Sequence, residues 1–280
     1  MPMIEFTKMH GLGNDFIVVD CLRGEYVTEL VEATVRLCDR HRGVGADGVI
    51  LVLPATDADF RMRIINSDGS EPEMCGNGIR CFAKFLFDTG LTTSTTLTIA
   101  TLAGMIGAEL TVTEGKVSAV RVNMGIPRLE RAEIPMVGAA GRVVDEPLTV
   151  DGRTFAVTAV SMGNPHVVTF VEDVERFPLE LYGPLMENYP AFPRKTNAEF
   201  VEVISPTHLR MRVWERGAGI TQACGTGACA TLVAAVLTGR AERTATVELP
   251  GGPLHISWGA DEHIYMTGPA VTAFTGSVRI

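Results

Sequence analysis

The chain has 280 residues, of which 46 % are hydrophobic and 20 % charged, with a net charge of −9. That length is long for one core and comfortable for two domains. The acidic balance, with no run of Lys or Arg, argues against nucleic acid and anionic membrane surfaces as partners.

The predicted elements of the first half are mainly strands, rich in β-branched residues or alternating apolar with polar. They are Phe16–Asp20, Val49–Leu53, Arg61–Ile65, Thr95–Thr101, Gly107–Val112 and Val117–Val122. Two helices interrupt them, over Glu29–Cys38 and Gly78–Phe87, the latter with Ile79, Phe82, Ala83 and Leu86 on one face. The Pro/Gly-bearing stretch Asn123–Gly141 marks the crossing into the second half. There the strands are Thr154–Val160, Val167–Val171, Ala198–Ile204, Leu209–Trp214, Thr246–Leu249 and Leu254–Trp258. One helix, Gly227–Leu237, is apolar nearly all round, as a helix buried inside its domain would be.

The two halves repeat one another. Arg61-Met62-Arg63 precedes Cys75-Gly76-Asn77-Gly78, and Arg210-Met211-Arg212 precedes Cys224-Gly225-Thr226-Gly227; 210 − 61 and 224 − 75 both equal 149. Gly13-Asn14 recurs as Gly163-Asn164, and Gly90 and Gly239 stop the matching helices. The expected fold class is therefore α/β (mixed α+β), with two pseudo-symmetric domains, each a β-rich, barrel-like sheet around a central helix.

Each copy places one cysteine at a helix start. Unpaired N–H groups and the positive end of the helix dipole lower a thiol's pKa from about 8.5 and favour the thiolate. The same N–H groups form a carboxylate site. Two such thiols on opposite sides of a carbon can remove a proton from one face and add one to the other, which is the chemistry of a racemase or epimerase. Cys21, Cys38, Cys81 and Cys229 fall outside the repeat and read as small buried hydrophobes. The cysteines show no Cys-x-x-Cys pair and no zinc-like spacing, so no metal is expected. Residues 1–8 carry no signal-peptide pattern and no apolar run reaches the roughly 18 residues of a membrane span, so reduced thiols in the cytoplasm are expected.

The repeat breaks where Asn66 faces Glu215, Asn77 faces Thr226 and Gly48 faces Asn197. Unlike residues around a symmetric reaction centre suit an asymmetric substrate arm. Glu215 and Arg216 match an ammonium and a carboxylate respectively.

The segments His10–Phe16, Arg42–Gly48, Asn66–Arg80, Ser161–His166, Asn197–Phe200 and Glu215–Ala230 together resemble the diaminopimelate epimerase family, in the family's order along nearly the whole chain. The resemblance implies interconversion of LL- and meso-2,6-diaminopimelate for lysine biosynthesis, without a cofactor. It makes Cys75 and Cys224 the acid/base pair, and Gly76, Asn77, Gly225 and Thr226 the donors to the reacting carboxylate. Asn14, Asn66, Asn164, Asn197, Glu215 and Arg216 would bind the substrate's two amino-acid ends. His166 is the auxiliary candidate, with a structural histidine as its other reading. The implied domains are 1–123, closed by a last strand at 268–280, and 124–267, in a homodimer. Some members carry Gln where this chain has Gly48, which removes one expected amide contact.

Three competing readings differ in their residues. A proline or hydroxyproline racemase typically has His after Met-Cys-Gly, where this chain has Asn77. A pyridoxal-phosphate racemase would need Lys8, Lys84, Lys116 or Lys195 in a phosphate-cradling context, and none is. A redox switch joining Cys75 to Cys224 leaves the amides and Glu215-Arg216 without a role.

Overall fold

Strand pairing repeats as the motifs do. The computed structural model describes residues 2–280. In chain order the first half contains β1 (Met3–Gly11), β2 (Asn14–Asp20), α1 (Val27–Cys38), β3 (Gly48–Leu53), β4 (Phe60–Asn66), α2 (Gly76–Asp88), β5 (Thr96–Thr101), β6 (Gly104–Thr113) and β7 (Lys116–Asn123). The second contains β8 (Glu146–Val150), β9 (Arg153–Ser161), β10 (Pro165–Phe170), α3 (Leu179–Glu187), β11 (Asn197–Ser205), β12 (His208–Glu215), β13 (Gly219–Ile220), α4 (Gly225–Leu237), β14 (Thr244–Leu249) and β15 (Gly252–Trp258). The chain then runs through β16 (Ile264–Gly268) to β17 (Val271–Arg279). Two compact units result: the residues up to Asn123 together with Thr267–Ile280, and Met124–Met266.

Within the first unit β1–β2 is antiparallel, β2–β3 parallel, β3–β4 antiparallel, β4–β5 parallel and β5–β6 antiparallel. The second unit follows the same order through β9, β10, β11, β12, β14 and β15. A parallel pair needs a crossover, and the helices supply it: α1 and α3 bridge the first parallel pair of each unit, α2 and α4 the second. β17 pairs antiparallel with β1, from Met3↔Arg279 to His10↔Val271.

Burial follows from this layout. α2 touches β1, β2, β3, β4, β6 and β7, and its residues from Gly76 to Leu86 are all buried. α4 touches β9, β10, β11, β12, β14 and β15, which explains a helix apolar on every side. Each fully buried Leu or Phe on these helices contributes about 1.5–3 kcal/mol. The expected mixed α/β architecture is what the structure has.

Sequence periodicity missed β1, β8, β13, β16 and α3. β1 carries Lys8, Met9 and His10 in place of β-branched residues. α3 begins after Pro178 and contains Pro184, which mask its signal. It is held by packing: a β-carbon on Gly183 would lie 2.7 Å from Trp214 Cβ on β12.

The loop after α1 folds back on the helix end. Asp39 Oδ1 accepts from the His41 and Arg42 amides at 2.8 and 2.9 Å, and Leu37 O accepts from Val44 N and Gly45 N at 2.9 and 3.0 Å. A β-carbon on Gly43 would sit 2.3 Å from Arg36 O and 2.5 Å from Leu37 O. Both are backbone atoms and cannot turn aside. Gly43→Ala is expected to cost about 3 kcal/mol, the upper range for overpacking, read as a lower urea midpoint at unchanged slope. An unchanged midpoint would contradict the close approach.

Candidate active site

Cys75 is the N-cap of α2, with φ −141° and ψ 111°, and Gly78 N donates to its Sγ at 3.4 Å. Asn14 Oδ1 lies 3.8 Å from Cys75 Sγ and accepts from Asn77 Nδ2 at 3.0 Å. The orientation of these amides is fixed from both ends. Asp47 Oδ2 can only accept, and it takes Asn14 Nδ2 at 2.7 Å. Arg80 can only donate, and its Nη2 reaches Asn77 Oδ1 at 3.1 Å. Arg40 Nη2 holds both Asp15 and Asp47 at 2.7 Å. Burial acts to raise the Asp15 pKa, but Arg40 and Lys8 outweigh it and bring it from 3.8 to about 2.

Asn66 lies apart from this amide chain. It ends β4 and closes a turn, with Nδ2 donating to Ser70 Oγ at 3.0 Å. It pairs with Gly48, where a β-carbon would meet Ile65 O at 2.7 Å. The backbone of β4 therefore fills the space a Gln side chain would enter from.

Cys224 is the N-cap of α4, with φ −117° and ψ 104°. Thr226 Oγ1 is 3.7 Å from its Sγ, and Asn164 Nδ2 donates to that hydroxyl at 3.3 Å. His166, fully buried, bonds Asn164 Oδ1 through Nε2 at 3.0 Å and Glu199 Oε1 through Nδ1 at 2.7 Å. Glu215 accepts from the Thr221 hydroxyl and from the Cys224 thiol.

The electrostatics reverse the expectation for this thiol. Burial pushes Cys224 well above the usual thiol range, and the charges of Glu215 and Glu199 push the same way. Thr226 and the Gly227 amide oppose them and lose. The helix N-terminus favours a thiolate as expected, but a dry site with two carboxylates outweighs it. Burial likewise raises Glu215, against the pull of Thr221 and Cys224. Cys21 and Cys38 are raised to about 11 and Cys81 to about 12, mainly by burial, as inert core thiols should be.

Asn197 and Arg216 form a separate group. Asn197 Nδ2 donates to Pro165 O at 2.9 Å and its Oδ1 accepts from Arg216 N at 2.9 Å. Its side chain thus holds the turn that carries Arg216. The Arg216 guanidinium reaches Arg194 O at 3.1 Å. Glu187 anchors the same turn through Trp214 Nε1 at 2.7 Å and Gly217 N at 3.1 Å. Among the described residues, no cluster of three or more His, Cys, Asp or Glu side chains gathers as metal ligands would.

The model of the family described as diaminopimelate epimerase matches residues 6–130 and 158–273. The chain belongs to the diaminopimelate epimerase family. It is 60 % identical to diaminopimelate epimerase 1 of Nostoc sp., over 98 % of this chain and 99 % of that protein. It is 58 % identical to diaminopimelate epimerase of Synechococcus elongatus, over 99 % of each chain. Among solved structures, a PhzF-family phenazine biosynthesis protein of Bacillus anthracis matches with a TM-score of 0.73 at 19 % identity, covering 100 % of both chains. A hydroxyproline epimerase from Agrobacterium vitis matches with 0.71 at 17 % identity, over 99 % of this chain and 92 % of that one. At those identities the solved structures share the fold.

Within this family assignment, each unit gathers its own thiol, asparagine and helix start: Asn14, Cys75, Gly76 and Asn77 in one, Asn164, Cys224, Gly225 and Thr226 in the other. Sequence reasoning assigned no role to Asp47, Arg80, Glu187 or Glu199. For Glu199 a signal existed, since a carboxylate stands between Ala198 and Phe200 in a strand otherwise apolar at that end.

Proposed function

We propose that this protein interconverts LL- and meso-2,6-diaminopimelate, in the biosynthesis of lysine and of cell-wall precursors. Cys75 and Cys224 act as the acid/base pair, one taking the α-proton and the other delivering a proton to the opposite face. The observation that carries this reading is that both thiols are N-caps of buried helices at equivalent places in a family of epimerases.

The amides of Gly76 and Asn77 and of Gly225 and Thr226 bind the reacting carboxylate, where helix N-termini favour negative charge. Glu215 relieves Cys224 of its proton and so turns a buried thiol into a base. Arg216, Asn197 and Asn66 receive the distal amino-acid end. The enzyme acts in the cytoplasm on a small molecule, as a homodimer. The outward face of β17 supports the last point, with Val271 44 % and Phe274 50 % exposed. Light scattering with size exclusion should then report twice the 30.1 kDa chain mass.

Incubation with LL-diaminopimelate in D2O, with no added cofactor, is expected to yield the meso form carrying deuterium at one α-carbon. Reduced, folded protein that exchanges nothing would refute the reading. Turnover of proline in the same assay would favour an imino-acid racemase instead.

A further inference from the structure

The two units differ behind their cysteines. Across the parallel pairs, His166 lies beside Asn197 as Phe16 lies beside Gly48. These registers make His166 the counterpart of Phe16, and Glu199 the counterpart of Ile50. Phe16 and Ile50 are buried hydrocarbon, 2 % and 0 % exposed. His166 and Glu199 are buried just as completely, each at 0 %. The first unit therefore shows that this place in the fold packs well without a polar pair. A buried ion or hydrogen-bonded pair is on average no more stabilising than apolar groups of similar volume, because desolvation offsets the attraction. Glu199 Oε2 also has no hydrogen-bond partner in the structure, a further cost. Stability gives no reason for the pair.

Its surroundings give one. A β-carbon on Gly227 would lie 2.8 Å from Glu199 Oε1 and 3.1 Å from Cys224 Sγ, so carboxylate and thiol flank one glycine. The matching Gly78 is flanked by Cys75 and the methyl groups of Ile50 and Ile64. Glu199 Oε1 and Asn164 Oδ1 both accept, so both ring nitrogens of His166 donate, Nδ1 to the carboxylate and Nε2 to the amide oxygen, and Asn164 Nδ2 then donates to Thr226 Oγ1. A hydroxyl that accepts from Asn164 directs its own proton toward Cys224 Sγ, 3.7 Å away. Asn14 is turned the other way. Its Nδ2 is held by Asp47, and its Oδ1 faces Cys75 Sγ.

We propose that Glu199 is a positioning residue which, through His166, fixes the sense of the Asn164–Thr226 chain, so that Cys224, beside its acceptor Glu215, also meets a side-chain donor, where the side chain meeting Cys75 is the acceptor Asn14 Oδ1. Two thiols made equivalent by the repeat are thereby made chemically unlike. A donor at sulfur stabilises the thiolate, and an acceptor at S–H stabilises the thiol. The inference deepens the proposed two-thiol reaction and rests on it. The ionisable groups facing Cys224 are Glu215 from β12, Glu199 from β11 and His166 from β10; α4 contributes Thr226 and the Gly227 amide.

The test is the double variant His166→Phe/Glu199→Ile, which gives the second unit the apolar pair of the first. It is expected to melt at the same or a higher temperature, and to lose about 100-fold in kcat with a smaller change in KM. A second measurement needs no substrate. In a Cys75→Ser background, Thr226→Val should raise the pH midpoint of Cys224 alkylation by iodoacetamide by about half a unit or more. In the double variant the same change should have much less effect, because the two sites are coupled. Should the double variant fail to fold, Glu199→Gln serves. With a neutral carboxamide His166 no longer has to donate from both ring nitrogens, Asn164 loses its fixed sense, and kcat falls about tenfold. Wild-type kcat in either variant, or an equal Thr226→Val effect in both backgrounds, overturns the proposal. If the wild-type protein proves inactive on diaminopimelate, the functional reading fails and the alkylation data still decide this one.

Discussion

Cys75→Ser and Cys224→Ser are each expected to lower the rate of epimerisation by about a thousandfold, within the range for losing a general acid or base. A serine hydroxyl keeps the N-cap geometry at residues 75 and 224, so folding should be preserved and melting temperatures close to wild type. What is lost is acidity, since a hydroxyl is a far poorer proton donor and its alkoxide is not accessible near neutral pH. The residual chemistry should be one-sided. With a single working thiol, deuterium enters from only one face, and exchange persists for one stereoisomer while inversion nearly stops. Proton NMR in D2O, started separately from LL and from meso substrate, reads this directly. A normal inversion rate in either variant would contradict the two-thiol scheme.

Glu215→Gln is expected to lower kcat about a hundredfold and to stabilise the folded protein at neutral pH. Burial raises the Glu215 pKa above its ordinary 4.5, against the Thr221 hydroxyl and the Cys224 thiol. A group whose folded pKa is raised lends stability below its unfolded pKa, and that stability is lost as pH rises through the folded value. The wild-type protein therefore loses stability as pH rises above the unfolded pKa, and the amide, which does not titrate, is spared that loss. Thermal melts should show Glu215→Gln above wild type near pH 7.5, with the gap closing toward pH 4. The same substitution withdraws one of the two charges that hold the Cys224 thiol up, so that thiol should titrate lower. A gap that widens toward pH 4 would put the cause elsewhere. Together the two results would mark Glu215 as a residue kept for chemistry at the expense of stability.

The repeat was legible because it is written in residue types that few other structures need. Cys-Gly-x-Gly after Arg-Met-Arg, at a constant offset, gave both helix starts, and the helices do start there. The family assignment was legible for the same reason. α3 was not, since its stability lies in Trp214 packing against Gly183 and not in its own propensity. The expected low pKa of the thiols came from the helix alone. For Cys224 burial decides, and the charges of Glu215 and Glu199, which reach it from two other strands, push the same way.

The sequence by itself determined the duplication, the paired thiols at helix N-termini and the family, because local turn chemistry and spacing survive without coordinates. Only the tertiary structure decided which groups surround each thiol. Asp47 behind Asn14 and His166 behind Asn164 come from different places in the two halves of the repeat. Hydrogen-bond direction and charge burial depend on distances of a few ångströms between strands far apart in the chain. No periodicity encodes them.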